Sequence, residues 1–387
     1  MFSADLSFIE DFSVNVILKM QALCLWERRM LSRTFSGIIL TLLLGGILTS
    51  TFTIQLTKAS GAIHIYADGI DPQTHCIERN GDAYTFTCNV YDTIVVHCSD
   101  IVIDGANHTL EGTGSGTGIA VTTVSGYMNV TIKNLEIKDF AVGIDLHSFN
   151  KGVISGNTIT NNGDGIQISG FGQFSSYGNI VSGNVITDNE NGIIIEGAVG
   201  CNVISGNTIM NNGNYGIALI TWMPLHSPAT RNIICGNTIT NNSKGIYLSE
   251  CSNNRFYHNN FVNNDEQAIV DNAANFWDDG YPSGGNYWSD YAGVDGYQGA
   301  RYEGADQSVL GGDGIGDISY VIDANNTDFY PLMKTWDSPP PSPPKLVECI
   351  FPKWLLALLF LLAVLGGANL VVIVGFVLWW EYERKKK

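Results

Sequence analysis

Positive charge is scarce in this chain: 20 Lys and Arg stand against 37 Asp and Glu, giving a net charge of −17 over 387 residues. A surface so acidic repels a phosphate backbone, which argues against nucleic acid as a partner. Soft metal ligands are thin as well. The seven His and seven Met residues are scattered and form no Met-rich tract, so soft-metal sites have little to build on. No Leu-x-x-Leu-x-Leu line is present, which removes leucine-rich repeats. The middle of the chain is instead dominated by Ile, Val, Thr, Asn and Gly. These residues favour strands and turns, and a helical solenoid is set aside on that ground.

What is present is one phrase, repeated. Ile-Ser-Gly-Asn-Thr-Ile-Thr-Asn-Asn and its variants occupy 154–162, 181–189, 204–212, 234–242 and, degenerate, 256–264. Each copy leads to a Gly-Ile pair: Gly165-Ile166, Gly192-Ile193, Gly216-Ile217 and Gly245-Ile246, with Ala268-Ile269 in the glycine's place. Gly118-Ile119 and Gly143-Ile144 extend the series upstream, at spacings of 25, 22, 27, 24, 29 and 23 residues. A period of this length marks a solenoid. The apolar residues alternate in short runs such as Ile166-Gln167-Ile168, as strands with one buried face do. These features predict an all-β fold, a parallel β-helix of about seven coils and roughly 35 Å.

Asparagines fall in two columns, Asn157, Asn184, Asn207, Asn237, Asn259 and Asn162, Asn189, Asn212, Asn242, Asn264. Asn tolerates the left-handed corners a coil requires, and stacked amides satisfy polar groups at each bend. The outward positions after the Gly-Ile pairs read Asp145, Gln167, Ile194, Ala218, Tyr247 and Val270, then His147, Ser169, Glu196, Ile220 and Ser249. Glycosidases need two converging carboxylates, and lyases or epimerases need an acid and a base. Neither set is visible in these columns, and Asp164, Asp188 and Glu190 are assigned to turns. Two coils carry insertions, 171–178 and 221–231, leaving from the same corner. Such loops form binding surfaces on solenoids. Phe171, Phe174, Tyr177, Trp222 and His226 therefore either line a ligand groove or fold back on the column.

Hydrophobic segments frame the repeat. Residues 35–52 follow Arg28, Arg29 and Arg33 and precede Ala59, Ser60, Gly61 and Ala62, the pattern of a signal peptide, for which Met30 is the more natural initiator. Residues 354–380, with Trp at both ends and a basic tail beyond, read as a transmembrane helix with its C-terminus cytoplasmic. The expected organisation is an extension and signal peptide at 1–61 and an N-terminal cap at 62–100. Coils follow at 101–274, a C-terminal cap at 275–336, a Pro-rich linker at 337–353, the helix at 354–380 and a cytoplasmic tail at 381–387.

The two caps hold further candidates. Cys76, Cys88 and Cys98 crowd the first, with His75 and His97 beside two of them. An extracellular setting favours a disulfide, Cys76 to Cys88 across an Asn80-Gly81-Asp82 hairpin, with a Cys/His metal site as the alternative. Cys201 and Cys251 pair with each other or stay free. In the second cap, Asp313 and Asp317 on a Gly-rich loop resemble a calcium loop without its full ligand series; otherwise the Asp residues bond their own turns. Calcium is the one cofactor the sequence suggests. Sequons at Asn107, Asn129, Asn241 and Asn325 are expected glycosylation acceptors.

The Ser-Gly-Asn-Thr-Ile repeats and the line Ile-Val-Ile-Asp-Gly-Ala-Asn-His-Thr-Leu-Glu-Gly at 101–112 together resemble the NosD-like, or CASH-domain, right-handed parallel β-helix repeat proteins. So do Gly-Asn-Tyr-Trp-Ser-Asp-Tyr at 285–291 and Asp-Gly-Ile-Gly-Asp at 313–317. The likeness is to archaeal cell-surface members with a C-terminal anchor. The resemblance implies the same fold over most of the mature chain. For function it implies a range, from copper-site maturation to uronan epimerases and polysaccharide hydrolases. Copper is not carried over, given the scattered His and Met. The expected function is a membrane-anchored extracellular β-helix binding carbohydrate or another cell-envelope component. The alternatives are a polysaccharide-modifying hydrolase, lyase or epimerase, and a structural surface spacer.

Overall fold

The computed structural model describes residues 61–122, 129–170, 176–221, 228–298 and 309–338. The expected signal peptide and transmembrane helix lie outside these residues. Among the described residues no helix is long and apolar enough to cross a membrane.

Three parallel sheets wrap one apolar core. The first has ten strands, nearly all parallel, and its central members are Val142–His147, Asp164–Gly170, Asn191–Gly197, Tyr215–Ile220 and Lys244–Ser249. The other two, of nine and eight strands, are built from tripeptides such as Val153–Ser155 and Thr158–Thr160. Each coil gives one strand to each sheet, and equivalent positions pair from coil to coil, as Ile159 does with Ile186 and Ile186 with Ile209. The inward residues Ile154, Ile159, Ile166 and Ile168 are buried, as are their equivalents along the column up to the half-buried Ala268 and Val270 of the last coil. Each such side chain contributes roughly 1.5–3 kcal/mol of transfer free energy.

The corners explain the asparagines in more detail than the sequence suggested. The left-handed conformation belongs to the residue before each ladder asparagine: Gly156, Gly183, Gly206, Gly236 and His258 at one corner, and Asn161, Asp188, Asn211, Asn241 and Asn263 at the next. The ladder asparagines are buried. Asn184 illustrates the bonding. Its Nδ2 donates to Asn207 Oδ1 at 2.9 Å and to Ile154 O at 2.9 Å, and its Oδ1 accepts from the Asn157 amide at 3.0 Å.

A third ladder, not anticipated, runs Asn179, Asn202, Asn232, Asn254, Asn275 and Asn326. Left-handed Gly178, Cys201, Arg231 and Asn253 precede its first four members. Every regular coil therefore turns three corners by one device.

The glycine column has a steric cause. A Cβ on Gly192 would lie 2.4 Å from Gly216 O, and one on Gly165 would lie 2.6 Å from Gly192 O. The last coil corrects the expected alignment by one residue. Ala268 pairs with Ile246 and takes the isoleucine's inward place, while the carbonyl of Gln267 meets Gly245. Gln267 thus stands where glycine stands elsewhere, and its side chain closes the second ladder by accepting from Asn264 Nδ2 at 2.8 Å. The outward residue beside Tyr247 is consequently Ile269 rather than Val270.

Both ends are covered. Ala62–Tyr66 and Thr93–Val96 already stand parallel in the first sheet, so the segment expected as a cap also supplies its first strands. Gly69–Asp71 folds back antiparallel on the edge, which blocks further pairing. At the other end Trp277 stacks on Phe256 at 4.5 Å and Trp288 on Phe261 at 4.3 Å, continuing two core columns in aromatic form. Asp328, fully buried, ends the first ladder: its Oδ2 accepts from the Asn286 amide at 2.7 Å and from Trp288 Nε1 at 2.9 Å.

Candidate functional site

The long strands turn alternate residues inward (Ile144 and Leu146, Ile166 and Ile168, Ile193 and Ile195, Ile217 and Leu219) and leave three outward columns in strict register. Asp145 pairs with Gln167, Gln167 with Ile194, Ile194 with Ala218 and Ala218 with Tyr247. A second column runs His147, Ser169, Glu196, Ile220, Ser249, and a third Val142, Asp164, Asn191, Tyr215, Lys244. Asp164 opens a strand and is not a turn residue, so its carboxyl joins this face. The sequence reading missed it because the strand begins one residue before the Gly-Ile pair.

The two ends of the face differ in chemistry. Toward the N-terminal coils it is polar. His147 Nδ1 lies 3.0 Å from Ser169 Oγ, Gln167 Nε2 donates to Glu196 Oε2 at 3.4 Å, and Asn191 Nδ2 donates to Asp164 Oδ1 at 2.8 Å. Burial pushes the Asp145 carboxyl above the usual carboxylate range; His147 opposes this and Asp164 reinforces it. Asp164 is also raised by burial, with the Asn191 hydrogen bond pulling the other way. Toward the C-terminal coils the face is apolar and aromatic. Ile194, Ala218 and Ile220 form a buried cluster on the outside of the coil, flanked by Tyr215 and Tyr247. The two tyrosine rings stack at 5.0 Å, with the Lys244 ammonium 5.2 Å from the Tyr215 ring, within cation–π range.

The remaining sequence candidates are distributed as follows. Phe171, Phe174, Trp222 and His226 lie outside the described residues. Tyr177 is exposed and sits in a two-residue strand, Ser176–Tyr177, paired with Val199–Gly200. Cys76 and Cys88 are joined by a disulfide. His75, Cys76 and Cys88 are the one cluster of three potential metal ligands among the described residues, and the disulfide removes both thiolates from it. Cys251 is a buried free thiol that donates to Ser249 O at 3.1 Å and is not paired with Cys201.

In the C-terminal cap, the Asp313 carboxylate accepts from the Ile315 amide at 3.0 Å, and buried Asp317 accepts from the Gly296 amide at 2.7 Å. Asp295, unremarked in the sequence, accepts from the amides of Asp313 and Gly314. The sequon residues Asn107, Asn129, Asn241 and Asn325 are all exposed.

A chain of stacked, registered coils closed at both ends defines the class: a parallel β-helix. A family model described as right-handed beta helix region matches residues 76–227, and one described as periplasmic copper-binding protein (NosD) matches 173–293. The chain is a NosD-like right-handed β-helix protein.

Similar solved structures include bacteriophage CBA120 tailspike protein 2, at 14% identity over 49% of this chain and 33% of that one, with a TM-score of 0.39. The periplasmic alginate epimerase AlgG is similar at 16% identity over 59% and 70%, with a TM-score of 0.33. The Azotobacter vinelandii mannuronan C-5 epimerase AlgE6 A-module is similar at 13% identity over 50% and 61%, with a TM-score of 0.35. The chain thus spans about a third of the tailspike's length. No curated protein matches the sequence.

The copper in the family description has a poor donor set within the matched segment. Among its described residues, His258 spends Nε2 on Ser283 O at 2.8 Å and stacks face to face on Trp336. Burial raises the Cys251 thiol and pushes Cys235 up to about 11, so both hold their protons. These residues do not gather around one point and do not fit a copper ion.

Proposed function

We propose that the outward face of the long-strand sheet, across the strands from Val142–His147 to Lys244–Ser249, binds a neutral polysaccharide at the cell surface. One observation carries this reading. Planar hydrogen-bonding side chains (Asp145, Asp164, Gln167, Asn191 and Glu196) stand in register beside a tyrosine pair and an apolar patch on a single rigid face. Sugars present hydroxyls at their rims and C–H groups on their faces, and a site of convergent polar groups with aromatic walls matches both. The net charge of −17 disfavours a polyanionic glycan. The insertions at 171–178 and 221–231 leave this face at its edge, after Gly170 and Ile220. The Cys76–Cys88 disulfide accords with an extracellular position.

A glycan array probed with the chain tests the proposal. Retention on neutral glycans, weakened by about tenfold in Gln167→Ala or Tyr247→Ala, supports it; equal retention of both variants, or none by the parent chain, refutes it. Asp145 and Asp164, both raised above the usual carboxylate range by burial, favour a second reading in which this face also performs acid–base chemistry on the bound sugar. Release of reducing ends or a change in sugar configuration, abolished in Asp145→Asn, would establish it.

A further inference from the structure

The first two coils bring together a pair of side chains that neither the glycan face nor the repeat employs. His64 stands outward on Ala62–Tyr66, and His97 directly follows the neighbouring parallel strand, Thr93–Val96. Nδ1 of His64 lies 2.8 Å from Nε2 of His97. The rings are nearly parallel at 5.1 Å, and Tyr66 stacks on His97 at 4.8 Å. The N-terminal edge of this sheet therefore presents two imidazoles side by side.

We propose that His64 and His97 chelate a borderline divalent transition-metal ion, with water completing the shell. Imidazole suits Zn2+, Cu2+ and Ni2+. Two nitrogens bound at about 2.0–2.1 Å to one ion stand about 2.8–3.4 Å apart for right-angled to tetrahedral geometry, and the pair is already at that separation. A rotation of each ring turns the lone pairs from one another toward a common point. The imidazole that donates the hydrogen bond moves its proton to its other ring nitrogen, so both rings bind as neutral ligands and no net proton is released.

The strands hold both donors on a rigid hydrogen-bonded scaffold, which limits the ordering that binding requires. The site lies outside residues 173–293, the segment matched by the copper-binding family model, and rests on the first two coils.

The test loads the full chain with Cu2+ for electron paramagnetic resonance and with Zn2+ for calorimetry. The proposal predicts a bound ion with superhyperfine coupling to two imidazole nitrogens. His97→Gln and His64→Gln should each remove one nitrogen from the spectrum and weaken Zn2+ binding by at least about tenfold. His75→Gln, an exposed histidine of the same N-terminal segment, should change neither readout. Binding unaltered in His97→Gln and His64→Gln, or no binding by the parent chain, overturns the proposal.

Discussion

A single buried asparagine answers for six hydrogen bonds. Asn207 donates from Nδ2 to Asn237 Oδ1, Val181 O and Ser205 O, donates its amide to Asn237 Oδ1, and accepts from both the amide and Nδ2 of Asn184. Asn207→Ala strands donors on Asn184 and an acceptor on Val181 away from water. It is predicted to cost about 3 kcal/mol or more, read as a lower denaturant midpoint.

The ladder's terminal carboxyl behaves differently. Burial raises Asp328 from an ordinary 3.8 to about 7, against the hydrogen bonds from Asn286, Trp288 and Tyr330. The folded chain holds this proton where the unfolded chain has released it. The stabilisation is therefore full below about pH 4 and is lost as pH rises through about 7. Unfolding midpoints of the parent chain and Asp328→Asn, measured across this window, should diverge: the parent loses stability toward pH 7 relative to a variant with no such proton to release.

Among elements, the close stacking of the glycine column is the least forgiving. Gly192→Ala drives a Cβ against Gly216 O at 2.4 Å, a backbone atom that cannot swing aside, and a loss of about 3 kcal/mol is expected in equilibrium unfolding. At the N-terminal end, the hairpin Ile77–Asn80 with Ala83–Phe86 is closed by the Cys76–Cys88 disulfide over a separation of 12 residues. Cys88→Ser should lower stability by about 2–4 kcal/mol, checked by the same unfolding measurement.

The repeat made these elements legible because steric and hydrogen-bonding demands recur identically in every coil. Two details escaped. The third ladder precedes the repeated phrase, and its corner residue varies from Gly178 to Cys201 to Arg231, so only the five-residue interval between successive asparagines marks it, as in Asn202, Asn207 and Asn212. The last coil was misaligned by one residue because the glycine rule lapses there. No further coil presses on Gln267, and a side chain is admitted.

For the whole molecule, periodicity fixes the column and its closed ends, since each coil can bury its apolar face only against its neighbours. A site does not repeat, and so it was harder to read. Asp145, His147 and Glu196 were visible as outward residues, yet their relation to Asp164, Asn191 and the Tyr215–Tyr247 stack depends on which strand positions lie abreast in three dimensions. Together these residues make one polar-to-aromatic face on a rigid support, and the account stands on that face binding sugar.

Carboxyl footprinting tests this most directly. The chain is labelled with a carbodiimide and an amine, with and without a neutral polysaccharide that retains it, and each site is quantified by mass spectrometry. Shielding of Asp145, Asp164 and Glu196, with Asp104, Glu111 and Glu136 on the short-strand sheets labelled equally in both conditions, is the predicted result. Unchanged labelling of the first three carboxyls, or shielding confined to the short-strand sheets, would contradict it.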